Sequence, residues 1–165
     1  MKRFFLALCC FILCGNMFAS IKIKEGSNSF MKSNGVAKII FDWSEAQWDN
    51  WETLPEHWGN EYETYVRNGE KSFIHGFNEA GRKVLIKKDA ADSNYEITVK
   101  WENFDVFWLP RAKHKVWATI TVKSMVTGDV ICVYKVKEFV GHGDFIKRES
   151  FTDMMEDLGE AIAKR

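Results

Sequence analysis

Apolar residues recur at every second position along three segments in the second half of this chain, and this pattern limits most strongly what the chain can fold into. The segments are residues 95–102, 116–122 and 130–136. Successive side chains of a β-strand point to opposite faces, so each segment would place one apolar face on a core. The pattern predicts three strands of a mainly antiparallel or mixed sheet, the last two joined by a hairpin closed at Thr127, Gly128 and Asp129.

Two more strands are predicted upstream of these segments. Residues 37–43 (AKIIFDW) have the β-branched and aromatic content of a strand, and residues 84–87 form a short one. Past Asn103 the apolar positions change parity, which indicates either a bulge or a strand that leaves the sheet before Pro110.

A helix is predicted over residues 60–80, where apolar positions recur at spacings of three and four. Asn60 is a candidate cap, since its side-chain oxygen can accept from an unpaired backbone N–H, and Gly81 is a candidate stop. Gly69 lies on the apolar face, where we expect it to allow close approach to the sheet.

A second amphipathic helix is predicted from about Phe151 to the end of the chain, with Ser150 as its cap. Without the short segment at residues 84–87, the element order is then β-α-β-β-β-α. Two amphipathic helices each need an apolar surface to cover, and one face of the sheet provides it. The predicted fold class is α+β, a two-layer sandwich with both helices packed on one face of the sheet.

The amino terminus indicates export. Lys2 and Arg3 precede an apolar run over residues 4–14, which is too short to cross a bilayer and is typical of a signal peptide. We predict cleavage near Ala19, residues 20–35 as a flexible lead-in, and residues 36–165 as a single domain that is periplasmic or associated with the outer membrane. Lipidation at Cys14 is the alternative, although Leu13 before it does not suit a lipoprotein signal.

Charge and cysteine usage exclude several classes of function. Loss of residues 1–19 removes Lys2 and Arg3, which leaves 21 basic and 23 acidic residues and a net charge of −2. This balance gives no basic footprint for nucleic acid. Cys132 is then the one remaining cysteine and shares the inward parity of its strand, so we interpret it as a core residue and not as a nucleophile.

No catalytic motif emerges, and neither a metal site nor a cofactor is predicted. The four histidines form no ligand pair at useful spacing. His142 and Asp144 flank a glycine in the GHGD segment at 141–144, and a hydrolase site there is one hypothesis. A glycine-rich connection between the last strand and the last helix explains the same residues more simply.

Four of the seven tryptophans fall within residues 43–58, which we predict to be a long loop with one helical turn. The candidate ligand-binding residues are Trp48, Trp51, Trp58, Asp49 and Asn50. Aromatic faces beside amide and carboxylate groups suit a sugar, which stacks on the ring while polar groups hold its hydroxyls. The alternative is that these rings cover one end of the sheet and fill the core.

From Asp92 onward the chain has strands NYEITVKW and VWATITVKSM, a TGDV turn, another strand and a closing helix, LGEAIAKR. This order resembles small secreted or lipid-anchored envelope domains of Gram-negative bacteria that share the fold of the curli-secretion lipoprotein CsgG and the amino-terminal domain of TolB. The resemblance implies a binding or assembly scaffold. Pore formation is not implied, because Thr119, Thr121 and Lys123 would face the bilayer.

The leading functional hypothesis is therefore a non-enzymatic envelope protein without a transmembrane segment in its mature chain. It would bind a protein partner, or a second copy of itself, through an exposed sheet edge or the tryptophan-rich loop. The alternative hypothesis is a glycan-binding module that uses the loop at residues 43–58.

Overall fold

The structure, a computed structural model, describes residues 20–80, 83–107, 113–141 and 148–165. Its strands are β1 (Ser20–Gly26), β2 (Gly35–Asp42), β3 (Gln47–Trp48), β4 (Glu52–Thr53), β5 (Val84–Lys87), β6 (Tyr95–Phe107), β7 (Lys113–Ser124) and β8 (Val130–Val140). Its α-helices are α1 (Leu54–Trp58), α2 (Tyr62–Glu79) and α3 (Arg148–Ala163). Short 3-10 turns occupy Asn28–Lys32 and Gly59–Glu61.

The strands form one mixed sheet in the order β1-β8-β7-β6-β2-β5, with the small β3–β4 pair attached beside β6. The pairs β6–β7, β7–β8 and β8–β1 are antiparallel, whereas β2 is parallel to both β5 and β6. The predicted α+β class with a mixed sheet is confirmed. The parallel pairs require crossovers, and α2 supplies the one between β2 and β5.

The two long helices cover the face of the sheet that carries the recurring apolar positions. Phe73 of α2 packs edge-on against Trp101 with ring centroids 6.1 Å apart, and Phe151 of α3 lies 5.7 Å from Phe104. All four side chains are almost completely buried. The alternation therefore predicted the buried face of β6, β7 and β8, because the inward residues from Ile97 to Phe104, Val116 to Val122 and Cys132 to Val136 belong to one continuous core. Val130, at the start of β8, is 49% exposed and lies outside this core.

Both details predicted along these strands are confirmed. The register between β6 and β7 shifts between Trp101 and Asn103, which is the bulge that the change of parity indicated. The β7–β8 hairpin closes through hydrogen bonds of 2.9 Å from the Ser124 amide to the Asp129 carbonyl and from the Gly128 amide to the Ser124 carbonyl. Gly128 has a φ of +79°, a conformation that suits glycine.

The predicted flexible lead-in over residues 20–35 is wrong, because Ser20–Gly26 forms β1 and pairs antiparallel with β8, and the Asn28–Lys32 turn buries Phe30 and Met31 in the core. Ile21 is buried beside Val136, its register partner. Only two apolar residues alternate here with Lys22 and Lys24, which made the segment look polar. Lysines are common on edge strands, since they discourage pairing with other chains.

The predicted helix ends also differ from the structure. α2 begins at Tyr62 after the Gly59–Glu61 turn, and no side chain caps it, so Asn60 is not the cap. Gly81, its predicted stop, lies outside the described residues. The last helix already begins at Arg148, so Ser150 lies inside α3 instead of capping it.

Glycines set the contact between α2 and α3. Gly69 faces the ring of Phe151 and not the sheet, so the prediction about its neighbour is wrong. At Gly76 and Gly159 the backbones of the two helices touch, since a side chain at either position would meet main-chain atoms of the other helix. Small residues permit this close crossing.

Among the described residues, no helix combines the length and the apolarity that crossing a bilayer requires.

Candidate binding site

The tryptophan-rich segment forms ordered structure in place of the predicted long loop. β3 and β4 pair antiparallel, with Gln47 opposite Thr53 and Trp48 opposite Glu52. β3 also pairs in parallel with Asn103 and Phe104 of β6. We call residues 47–53 the Trp51 hairpin, because its three-residue tip carries Trp51.

Two hydrogen bonds from the tip anchor it to β6. The Asp49 amide donates to the Phe104 carbonyl at 2.8 Å, and the Asn50 amide donates to Oδ1 of Asn103 at 2.8 Å. Asp49 and Asn50 have φ values of 52° and 63°, which Asp and Asn tolerate better than most residues. The turn therefore consists of residue types that tolerate a positive φ, and the backbone amides of both residues are hydrogen-bonded to β6.

Trp51 follows this turn and projects into solvent, with 73% of its surface exposed. Its amide donates to the Trp48 carbonyl at 3.3 Å, which closes the hairpin. An indole that remains so exposed at the end of an anchored turn is the largest apolar group that the hairpin offers to another molecule.

Trp48 and Trp58 are only partly exposed and pack against protein neighbours. Trp48 stacks on His57, with ring centroids 3.9 Å apart and planes within 12°. Trp58 stacks on Tyr65 at 4.9 Å and meets Phe151 edge-on at 5.1 Å. The three candidate tryptophans therefore do not form one shared platform. Trp51 is the exposed ring, while the other two support the end of the core.

Trp43 packs against β6 and α2 next to the site. It stacks on Phe104, and its indole nitrogen donates to Oε1 of Glu70 at 3.0 Å. Glu70 is 7% exposed and also pairs with Lys88, so this carboxylate ties α2 to the ends of β2 and β5. Sequence reasoning placed Glu70 on no site, because acidic residues on helices are mostly solvated.

Helix α1 fixes the far side of the hairpin. Thr53 and Glu56 form a reciprocal capping box, in which each side chain accepts from the other residue's backbone amide. These bonds from Thr53 lower the pKa of the Glu56 carboxyl. His57 on α1 reaches back to Oε2 of Glu52 on β4, at 2.8 Å.

The chain segment that contains the hairpin is strongly acidic. Residues 42–63 contain seven acidic residues and neither lysine nor arginine: Asp42, Glu45, Asp49, Glu52, Glu56, Glu61 and Glu63. Hydrogen bonds from Ser44 lower the pKa of the Asp42 carboxyl. Lys100 pairs with Glu45 at 2.7 Å and Glu52 faces His57, so part of this charge is balanced. Trp51 nevertheless stands in a field that favours a basic partner.

His114 lies under the hairpin, edge-on to Trp48 at 5.9 Å. Burial, with a smaller contribution from the charge of His57, lowers its pKa to about 4. The imidazole is therefore neutral at physiological pH.

The other residues considered from the sequence form no site among the described residues. Cys132 is buried as predicted, and burial raises the pKa of its thiol. His75 is exposed and lies 3.8 Å from Glu156. No group of three or more His, Cys, Asp or Glu side chains in the described ranges could hold a metal ion. His142 and Asp144 lie outside those ranges.

Asn103 is the positioning residue that sequence reasoning missed. It is 5% exposed, its oxygen holds the hairpin turn, and its Nδ2 has no hydrogen-bond partner among the residues that the structure describes. The sequence did contain a signal for this role, because Asn103 is a polar residue at the position where the apolar alternation of β6 changes parity. Such a change indicates a bulge, and a side chain at a bulge can hydrogen-bond to a neighbouring element.

Comparisons with known proteins leave the family open. No protein-family model matches the chain, and no curated protein matches it. Among solved structures, the chain is similar to the PelC dodecamer from Paraburkholderia phytofirmans, with 12% identity over 86% of this chain and 96% of that chain and a TM-score of 0.49. It is also similar to a DUF330 protein from Xanthomonas campestris, with 6% identity over 88% and 90% of the two chains and a TM-score of 0.47. At TM-scores below 0.5, neither likeness carries an argument about function or assembly.

Proposed function

We propose that this chain is a non-enzymatic binding or assembly module of the cell envelope, and that it docks a protein partner through the Trp51 hairpin. The observation that carries the proposal is the 73% exposure of Trp51 at the tip of an anchored turn. Tryptophan is enriched among the residues that dominate protein interfaces, where its loss typically costs ~2 kcal/mol or more.

The rigidity of the tip supports docking. The Asp49 and Asn50 amides are both bonded to β6, and a capped helix follows the hairpin directly. A partner would therefore meet a preformed surface and would not have to order a mobile loop, which reduces the entropy cost of association.

Charge indicates what kind of surface that partner presents. The seven acidic residues of the segment 42–63 favour a basic partner face, and charge attraction would speed association at low salt. We accordingly expect binding to weaken as ionic strength rises.

The proposed place of action is outside the cytoplasm, in the periplasm or at the outer membrane. The Lys2–Arg3 pair and the apolar run of residues 4–14 support export, with cleavage near Ala19 and lipidation of Cys14 as the alternative. The fold suits such a compartment because its buried Cys132 offers no exposed thiol to oxidants.

Glycan binding is the second candidate function, favoured by the exposure of Asp49 and Asn50 beside Trp51. Since Trp48 and Trp58 are packed against protein, a sugar would have one ring to stack on and two polar side chains to hold its hydroxyls. A single-ring site would bind a glycan weakly.

The test replaces residue 51 by a photo-crosslinking phenylalanine derivative and exposes cell envelopes to light. We expect discrete protein adducts at position 51 and none at position 67, a matched exposed position on α2. In a parallel experiment, this chain is immobilised and the crosslinked partner protein is passed over it. We expect the partner to be retained by the Trp51→Phe variant and not by the Trp51→Ala variant. Adducts that are equally abundant at position 67, or retention indifferent to Trp51→Ala, would refute protein docking at this hairpin.

A separate titration addresses the glycan alternative. Tryptophan emission of the wild type and of Trp51→Phe is followed during addition of cell-wall fragments. A spectral shift that Trp51→Phe abolishes would favour the glycan, and unchanged emission across the panel would exclude it.

A further inference from the structure

We infer that the partner of the Trp51 hairpin is a second copy of this chain, which receives it in a lysine-lined depression at the opposite end of the sheet. This inference rests on the proposed function of the hairpin. It follows from a concave surface, a row of charges and the positions of both along β6.

The depression has a volume of about 370 Å³ and is open to solvent. It is lined by Lys38, Lys88, Asp89, Ala90, Ala91, Ser93 and Met125. The lining thus combines small and apolar side chains with one carboxylate and two ammonium groups, of which that of Lys88 pairs with Glu70. Met125 is 49% exposed, and the neighbouring Val126 is 82% exposed, so the apolar rim is unprotected in the single chain. A flat indole suits a pocket of this composition, since lysine ammonium groups are attracted to aromatic faces.

A row of basic residues crosses the sheet at this end. Strand pairing places Lys87, Lys38, Glu96 and Lys123 side by side across β5, β2, β6 and β7, on the face away from the helices. Glu96 lies 4.0 Å from Lys38 and balances one of the three lysines. The row therefore keeps a net positive charge, opposite in sign to the surroundings of the Trp51 hairpin.

The two surfaces lie at opposite ends of β6. Glu96 belongs to the basic row and Asn103 holds the hairpin, and the seven steps along the chain from one to the other span ~23 Å of strand. A chain cannot place its own tip in its own depression over that distance. The contact must therefore join two different surfaces of two copies, which is a heterologous interface.

In this interface Trp51 enters the depression between Lys38 and Lys88, and Asp49 faces the basic row. Because each copy keeps one free tip and one free depression, the contact repeats until it closes into a ring or continues as a filament. Apolar burial stabilises the contact, whereas the charges set its direction and its dependence on salt.

Sedimentation velocity of the purified protein over a range of concentrations tests this interface. Trp51→Ala removes the tip, and Met125→Glu puts a negative charge into the depression. Each variant alone should be monomeric where the wild type assembles. Lys71→Glu, a charge reversal at an exposed position on α2, should assemble as the wild type does.

The decisive sample is an equimolar mixture of the two variants. Met125→Glu still carries an intact tip and Trp51→Ala an intact depression, so the mixture can form one good contact. We expect it to stop at a 1:1 dimer, identified by its mass. Assembly of either variant alone to the wild-type size, or a mixture that stays monomeric, would overturn the inference.

The sedimentation and crosslinking experiments together distinguish a failure of this inference from a failure of the proposed function. A wild type that stays monomeric at every concentration at low salt refutes self-docking. Crosslinking at position 51 to a different envelope protein would in that case still support the hairpin as a docking site.

Discussion

Replacing Gly76 by alanine should destabilise the protein, although the same change stabilises an ordinary helix. Alanine in place of glycine inside a helix gains ~1 kcal/mol from propensity alone. In this fold, however, a methyl group at Gly76 would lie 2.8 Å from the carbonyl carbon of Glu156 and 3.0 Å from its Cα, and closer still to its carbonyl oxygen. These atoms belong to the backbone of α3, so no rotamer change can remove the clash.

The two helices would have to separate by several tenths of an ångström to accept the methyl group. That shift would loosen buried contacts of Phe151, Met155 and Leu158, all at most 1% exposed. Overpacking of a well-packed interior costs typically ~1–3 kcal/mol, and contacts with backbone lie at the upper end because they cannot yield. After subtraction of the propensity gain, we expect a net loss of ~1–2 kcal/mol in the free energy of unfolding.

Urea unfolding followed by circular dichroism measures this loss. With a slope of ~2 kcal/mol per molar urea, the transition midpoint of Gly76→Ala should fall by ~0.5–1 M. Asn68→Ala is the control, since Asn68 is exposed on the same helix and alanine there should leave the midpoint unchanged or raise it slightly. A Gly76→Ala protein as stable as the wild type would show that the helices do not cross in backbone contact.

Two further predictions concern buried groups. Because the pKa of His114 is lowered to about 4 in the fold and lies near 6.5 in an unfolded chain, its contribution to stability is complete above pH 6.5 and is lost as the pH falls toward 4. The loss should approach ~3 kcal/mol, and His114→Gln should flatten this part of the stability profile between pH 7 and 4.5, as measured by urea midpoints. Cys132 should resist a thiol reagent in the native protein and react at once in urea, because it is fully buried and its pKa is raised. Rapid native labelling would contradict that burial.

The sequence located the segment of the candidate site but could not show which of its side chains are exposed. The crowding of tryptophans and acidic residues over residues 43–58 identified the segment in which the structure exposes Trp51. Composition could not show that Trp58 stacks on Tyr65 while Trp51 remains in solvent, because exposure depends on what the rest of the chain places beside each ring. Asn103, which holds the turn, is distant from Asn50 in sequence, so no local pattern joins them.

The fold, too, could be predicted from the sequence only in part. Alternation predicted β6, β7 and β8 because a strand that is half buried shows its environment in its own sequence. It missed β1, since an edge strand with two isoleucines among lysines buries little and leaves a weak pattern. Nor could it predict that β2 lies parallel to β6, because strand order depends on crossovers and not on side-chain parity.

The sequence alone determined the fold class, the inward face of each long strand and the segment in which tryptophans are concentrated. These properties follow from periodicity, which a residue shares with its neighbours in the chain. Only the tertiary structure decided that Gly76 and Gly159 face a neighbouring helix, and that Asn103 supports the Trp51 hairpin. It also decided that the row of lysines lies at the opposite end of β6 from this hairpin. Each of those depends on contacts between residues far apart in sequence, and such contacts form only when the whole chain packs.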